Sequence, residues 1–237
     1  MKNFFAIIGG MGTLATESFV RTMDQATGAD KDQAFLSYVV LNDADVPDRT
    51  AYINDHSQAD PYPFLASDVE QASQMGASFI VMACNTAHYF YDQLQALTAV
   101  PILHMPRTAI EWASKHYPAQ SHPRMGYMGT EGVRNAGTYR TLAQEAGYEL
   151  VEPEQLMQDR VNALIYEDVK TGRLDRARYE SVVQELLTDY DCDAVLLGCT
   201  ELSVLNEAFP LPGLPIVDAQ AATVERVVEV AKVEQGK

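Results

Sequence analysis

Residues 79–86 read Phe79-Ile80-Val81-Met82-Ala83-Cys84-Asn85-Thr86, and residues 194–201 read Ala194-Val195-Leu196-Leu197-Gly198-Cys199-Thr200-Glu201. In each stretch an apolar run of the kind that forms a buried strand delivers a thiol to the point where small, amide and hydroxyl residues take over. One such thiol stands in each half of the chain.

Outward from these stretches the halves keep matching in the same order. Met11-Gly12-Thr13 recurs as Met128-Gly129-Thr130, Asp48-Arg49 as Asp159-Arg160, and Val100-Pro101-Ile102-Leu103 as Leu214-Pro215-Ile216-Val217. A single match would be chance, whereas an ordered series at nearly constant separation argues for two similar units. Short apolar runs at 4–8, 36–41, 79–82 and 102–104, and again at 125–128, 194–197 and 216–217, predict strands. Between them, 15–27, 63–75, 136–146, 161–170 and 175–188 have helical period. Strands separated by helix-length segments predict βαβ units, hence parallel sheets covered by helices, with ligands beyond the carboxyl ends of the strands. The amphipathic segment 219–234 is expected to pack back on the first unit. The expected domains are 1–106 with 209–237, and 107–208.

Composition narrows the class. The 237 residues are 47% hydrophobic and 21% charged, an ordinary globular balance. No run approaches the roughly 18 apolar residues of a membrane span, and the apolar start Phe4–Ile8 is too short for a signal peptide. No membrane partner is expected. The formal net charge is −16, with no basic cluster to meet a phosphate backbone, so no nucleic-acid partner is expected either. An acidic small substrate would need a local cation inside this repelling field. Three cysteines, an odd number, fit free thiols in a reducing cytoplasm better than a disulfide scaffold.

A free cysteine is most often a small buried hydrophobe, and Asp191-Cys192-Asp193 keeps that reading because it has no counterpart in the first half. Cys84 and Cys199 leave it together. Two thiols facing each other across a cleft can take a proton from one face of a carbon and return one to the other. A metal site is weaker, since only His88 stands at ligand spacing from Cys84. A single Cys nucleophile with a His base would leave the second thiol unexplained.

Gly9-Gly10-Met11-Gly12, Cys84-Asn85-Thr86-Ala87-His88 and Gly198-Cys199-Thr200-Glu201-Leu202 resemble the motifs of the aspartate/glutamate racemase family, most closely its aspartate racemases, and the resemblance covers nearly the whole chain. It implies two α/β domains related by pseudo-twofold symmetry, an active site in the cleft between them, no cofactor, and a homodimer. Cys84 and Cys199 would be acid and base in the interconversion of L- and D-aspartate. Arg49 would clamp a substrate carboxylate and Lys170 would be the second cation. Asn85, Thr86 and Thr200 would hold the α-carboxylate and amino group. Met11, Gly12 and Thr13 would line the opposite wall through backbone N–H groups, and Glu201 would tune a thiol or bind the ammonium. The glutamate branch carries Asp-Ser and His where this chain has Gly10-Met11 and Glu201, which favours aspartate over a glutamate or broad-specificity alternative.

Two rival functions follow from the residues. Gly10-Met11-Gly12-Thr13-Leu14-Ala15 fits a dinucleotide-binding turn, although no acidic residue ends a second strand at the usual distance of about 20 residues. A two-lobed chain could also serve as a non-catalytic amino-acid sensor.

Overall fold

The computed structural model describes residues 3–237. Eight strands form two four-stranded, wholly parallel sheets. The first contains β1 (Phe5–Gly9), β2 (Tyr38–Asn42), β3 (Ile80–Met82) and β4 (Ile102–Leu103) in the order β2-β1-β3-β4. The second contains β5 (Arg124–Gly129), β6 (Glu149–Val151), β7 (Ala194–Gly198) and β8 (Ile216–Asp218) in the order β6-β5-β7-β8. The same order in both sheets is the architecture expected from the duplicated sequence. Strands β1 and β7 are buried along their whole length, which is why they read as continuous apolar runs rather than alternating ones.

Helices α1 (Thr13–Thr27), α2 (Arg49–Asn54), α3 (Tyr62–Gln74) and α4 (Tyr91–Gln95) accompany the first sheet, and α5 (Met105–His116) follows β4. Helices α6 (Glu131–Ala136), α7 (Thr138–Glu145), α8 (Gln155–Asn162), α9 (Arg176–Thr188) and α10 (Thr200–Ala208) accompany the second, and α11 (Ala219–Gln235) closes the chain. Helix α5 leaves the first sheet and packs on α7 and β8, whereas α11 leaves the second sheet and packs on α1 and α5. Each half thus lends its last helix to the other. One apolar core runs through both, from Phe5, Phe19 and Phe79 to Met125, Tyr127, Leu196 and Val217.

The return to the first half comes later than residue 209. Leu214-Pro215-Ile216-Val217 supplies β8, which pairs with β7 (Val195 opposite Ile216), so only α11 crosses back. Strand register also sorts the repeat matches. Ile80 faces Ile102 as Val195 faces Ile216, so the two proline-led strands and the two cysteines are equivalent. Met128, however, faces Leu197 as Ile8 faces Met82. Met11 lies beyond that position, in the turn after β1, and its likeness to Met128 is sequence alone. Asp48 caps α2, accepting from Ala51 N–H at 2.8 Å, whereas Asp159 and Arg160 lie within α8. That match has no structural counterpart.

The predicted helix over 161–170 is instead the end of α8, a π-helical turn over Ala163–Asp168 and a 3-10 turn over Val169–Thr171. Such widened turns recur at functional sites because they re-aim the side chains that follow.

Candidate active site

In both sheets the strand order switches between the two central strands, and that is where α/β folds leave a crevice. Cys84 follows β3 and Cys199 follows β7, so the two crevices face each other and share one narrow cleft. Its walls are Met11, Asp48, Arg49, Thr50, Cys84, Asn85, Thr86, Thr130, Tyr166, Lys170, Cys199, Thr200 and Glu201. Both thiols are 5% exposed. The two halves are joined at the floor by Thr86 Oγ1 and Thr130 Oγ1, 3.0 Å apart.

The thiols stand in opposite electrical surroundings. Cys199 is the N-cap of α10, and its Sγ donates to Glu201 Oε2 at 2.9 Å. Burial first, and then the charge and hydrogen bond of Glu201, push the Cys199 thiol well above its ordinary range. Cys84 has Arg49 beside it instead. Burial opposes the Arg49 guanidinium charge, but attraction to Cys84, Asp48 and Glu201 outweighs burial and raises its pKa above the ordinary value. The proton is thus held on Cys199, whereas the thiol of Cys84 faces a fixed cation.

Arg49 is held as a fixed charge rather than as an open fork. Nη2 donates to Met11 O at 2.6 Å, and Nη1 donates to Pro47 O at 3.0 Å and Val46 O at 3.3 Å. Its Nε has no partner. A bidentate grip on a substrate carboxylate would have to break these bonds, so the clamp geometry expected from sequence is not the one observed. Lys170 is the more loosely held cation: Nζ lies 4.0 Å from Asp48 Oδ2 and 4.6 Å from the centre of the Tyr166 ring.

Gly12 and Thr13 stand one layer back. They line an adjoining depression with Leu14, Ala15, Val169, Lys170 and Glu201, and of the Met11-Gly12-Thr13 turn only Met11 reaches the cleft. Gly12 has a specific reason to be glycine, since a Cβ there would lie 2.5 Å from Glu201 Oε1. The space in which a pyrophosphate would approach the second glycine of a dinucleotide turn is therefore filled by the chain's own carboxylate. Among the described residues no group of three or more His, Cys, Asp or Glu side chains is arranged to hold a metal ion.

Asp48, Thr50, Thr130 and Tyr166 were not singled out from sequence. Asp48 and Thr50 flank Arg49, and Thr130 belongs to the repeated Met-Gly-Thr motif, so each carried a signal. Tyr166 carried none, because the π turn that places it has no recognisable sequence pattern. Cys192 lies apart, packed against Gly126, and burial raises its thiol to about 11.

Two sheets of the same strand order, each with a cysteine beyond a central strand, thus meet in one cleft that holds both thiols. The chain belongs to the Asp/Glu/Hydantoin racemase family, whose profile matches residues 8–227. It is similar to the broad specificity amino-acid racemase RacX of Bacillus subtilis, 25% identical over 240 residues that cover 94% of this chain and 95% of that one. In fold it is similar to an aspartate racemase of Picrophilus torridus, with a TM-score of 0.79, 24% identity and 98% of each chain covered. It is also similar to a glutamate racemase of Francisella tularensis in complex with D-glutamate, with a TM-score of 0.67, 14% identity, and 99% and 82% of the two chains covered. No helix among the described residues is long and apolar enough to cross a membrane.

Proposed function

We propose that this racemase acts on aspartate without a cofactor, by a two-base transfer in which one cysteine removes the Cα proton and the other delivers a proton to the opposite face. The observation that carries the reading is the pairing of Cys84 with Arg49 and of Cys199 with Glu201 in one buried cleft. In one direction Cys84, beside the Arg49 cation, serves as the base, and Cys199, whose proton is held towards Glu201, serves as the acid. In the reverse direction the roles exchange.

The Cα–H of an amino acid is a very weak acid, so the carbanion needs fixed charges and exclusion of water. Asn85, Thr86 and Thr200, all 5% exposed or less, supply donors for the α-carboxylate, joined by the free N–H groups at the start of α10. Glu201 Oε1, buried and without a partner, is an acceptor available to the substrate ammonium. Lys170 is free to leave Asp48 for the side-chain carboxylate.

Chiral chromatography of L-aspartate and L-glutamate incubated with the purified protein tests this reading. D-aspartate should accumulate with no added pyridoxal phosphate, metal or nucleotide, and Cys84→Ala and Cys199→Ala should each abolish it, whereas Cys192→Ala should not. Faster turnover of glutamate or of many amino acids would replace the aspartate assignment. Full activity in either cleft-cysteine variant would overturn the two-base scheme.

A further inference from the structure

Tyr139 lies on α7, outside the cleft, 1% exposed and with its ring against the ring of Tyr127 at 5.8 Å. Its hydroxyl makes one hydrogen bond, donating to Asn85 Oδ1 at 2.5 Å. Asn85 follows Cys84, comes from the other half of the chain, and is 2% exposed. The Tyr139 ring also closes on the residue before the second thiol: a Cβ on Gly198 would lie 2.9 Å from Tyr139 Cε2 and 2.6 Å from Tyr127 Cε2. One side chain thus touches both cysteine-bearing turns.

The amide orientation follows from donor and acceptor bookkeeping. A buried phenol proton needs an acceptor, and Asn85 Oδ1 is the one this hydroxyl has. Burial holds the Tyr139 hydroxyl well above its ordinary pKa, so the proton stays on oxygen and the bond keeps its direction. Reversing the amide would turn Nδ2–H towards the phenol and strand the phenol proton. With Oδ1 engaged, Nδ2 is left buried and without any partner on a side chain that lines the cleft. An unpaired buried amide donor costs on the order of 1–3 kcal/mol unless a ligand satisfies it.

We infer that Tyr139 is a positioning residue that locks the Asn85 amide with Nδ2 towards the substrate, so that this amide donates to the α-carboxylate while the Tyr139 ring holds the two cysteine turns in register. The inference rests on the racemase reading for the identity of the carboxylate, but the lock itself is a property of the free protein. Because the carboxylate is held in ground state and transition state alike, losing the lock weakens binding more than turnover.

The test has two arms. In the 15N-labelled protein without substrate, the Asn85 side-chain amide pair, assigned by its loss in Asn85→Ala, should shift and broaden in Tyr139→Phe as the amide begins to reorient. An unchanged pair would overturn the lock whatever the protein's activity. In kinetics, Tyr139→Phe should raise KM for aspartate about tenfold with kcat changed less than threefold. The same change in an Asn85→Ala background should have no further effect on KM, since contacting groups are non-additive. Asn85→Asp, which keeps an acceptor for Tyr139 but replaces the donor with a second acceptor, should raise KM at least as much. Equal effects of Tyr139→Phe in both backgrounds, or a loss confined to melting temperature, would show a purely structural tyrosine. Absence of turnover in the wild-type protein would count against the racemase reading and leave the spectroscopic arm to decide the lock.

Discussion

Cys199 Sγ donates to Glu201 Oε2 at 2.9 Å, and the other oxygen of that carboxylate stands where a side chain on Gly12 would have to be. The acid partner of the site is thereby tied to the turn after β1 through a single carboxylate. Glu201→Gln removes the negative charge that, after burial, does most to keep the proton on Cys199. Its thiol would then ionise at lower pH, and the alkaline limb of the kcat/KM profile should move to lower pH. Gly12→Ala should produce the same displacement by pushing the carboxylate aside. A profile unchanged in both variants would mean that Glu201 does not govern the thiol.

Arg49→Lys preserves charge but cannot reach Met11, Pro47 and Val46 carbonyls at once, as the planar guanidinium does. Loss of a charge-assisted hydrogen bond costs about 1.5–3 kcal/mol. At about 1.4 kcal/mol per tenfold, kcat/KM for aspartate should fall roughly ten- to a hundredfold. Near-normal kinetics would show that charge alone suffices.

His88 predicts acid sensitivity. It is buried behind Cys84, with Nδ1 2.9 Å from Cys84 O and Nε2 accepting from Met105 N–H at 3.0 Å. Burial, helped by His104, drives its pKa down to about 3, against about 6.5 in an unfolded chain. Between those values the unfolded chain binds a proton that the folded chain does not. The stability His88 contributes is therefore complete above pH 6.5 and lost as pH falls towards 3. Melting temperature should drop steadily from pH 7 to pH 4, and His88→Gln should flatten that slope. Parallel curves would assign the acid loss elsewhere.

Asp68, on α3, predicts the opposite sign. It is 5% exposed with Oδ2 unpartnered, and burial followed by the nearby Asp43 raises its carboxyl to about 6, above the usual 3.9. The folded chain holds this proton more tightly than the unfolded one, so ionisation costs stability, fully so above pH 6. Asp68→Asn should raise the melting temperature at pH 8 and leave it nearly unchanged at pH 4. An equal gain at both pH values would point to packing rather than charge.

Much of this protein can be read from local pattern. Apolar runs ending at Cys84 and Cys199 mark strand ends because a buried parallel strand must be apolar along its length, and polar residues become affordable only where the crevice opens. That pattern is carried by neighbours in sequence, and it located two parallel-sheet units and both thiols, whereas the seven further residues that line the cleft were pointed to by the resemblance to the racemase motifs. The contacts that set the chemistry join residues far apart: Arg49 beside Cys84, Tyr139 on Asn85, Gly12 against Glu201. They depend on strand order, on the exchange of α5 and α11 between the halves, and on the π turn and following 3-10 turn that carry Tyr166 and Lys170 to the cleft. Hydrophobic period says which face of an element is buried. Which residue that face meets, and whether a guanidinium's hydrogens are already taken by backbone carbonyls, follows only once both sheets are packed together.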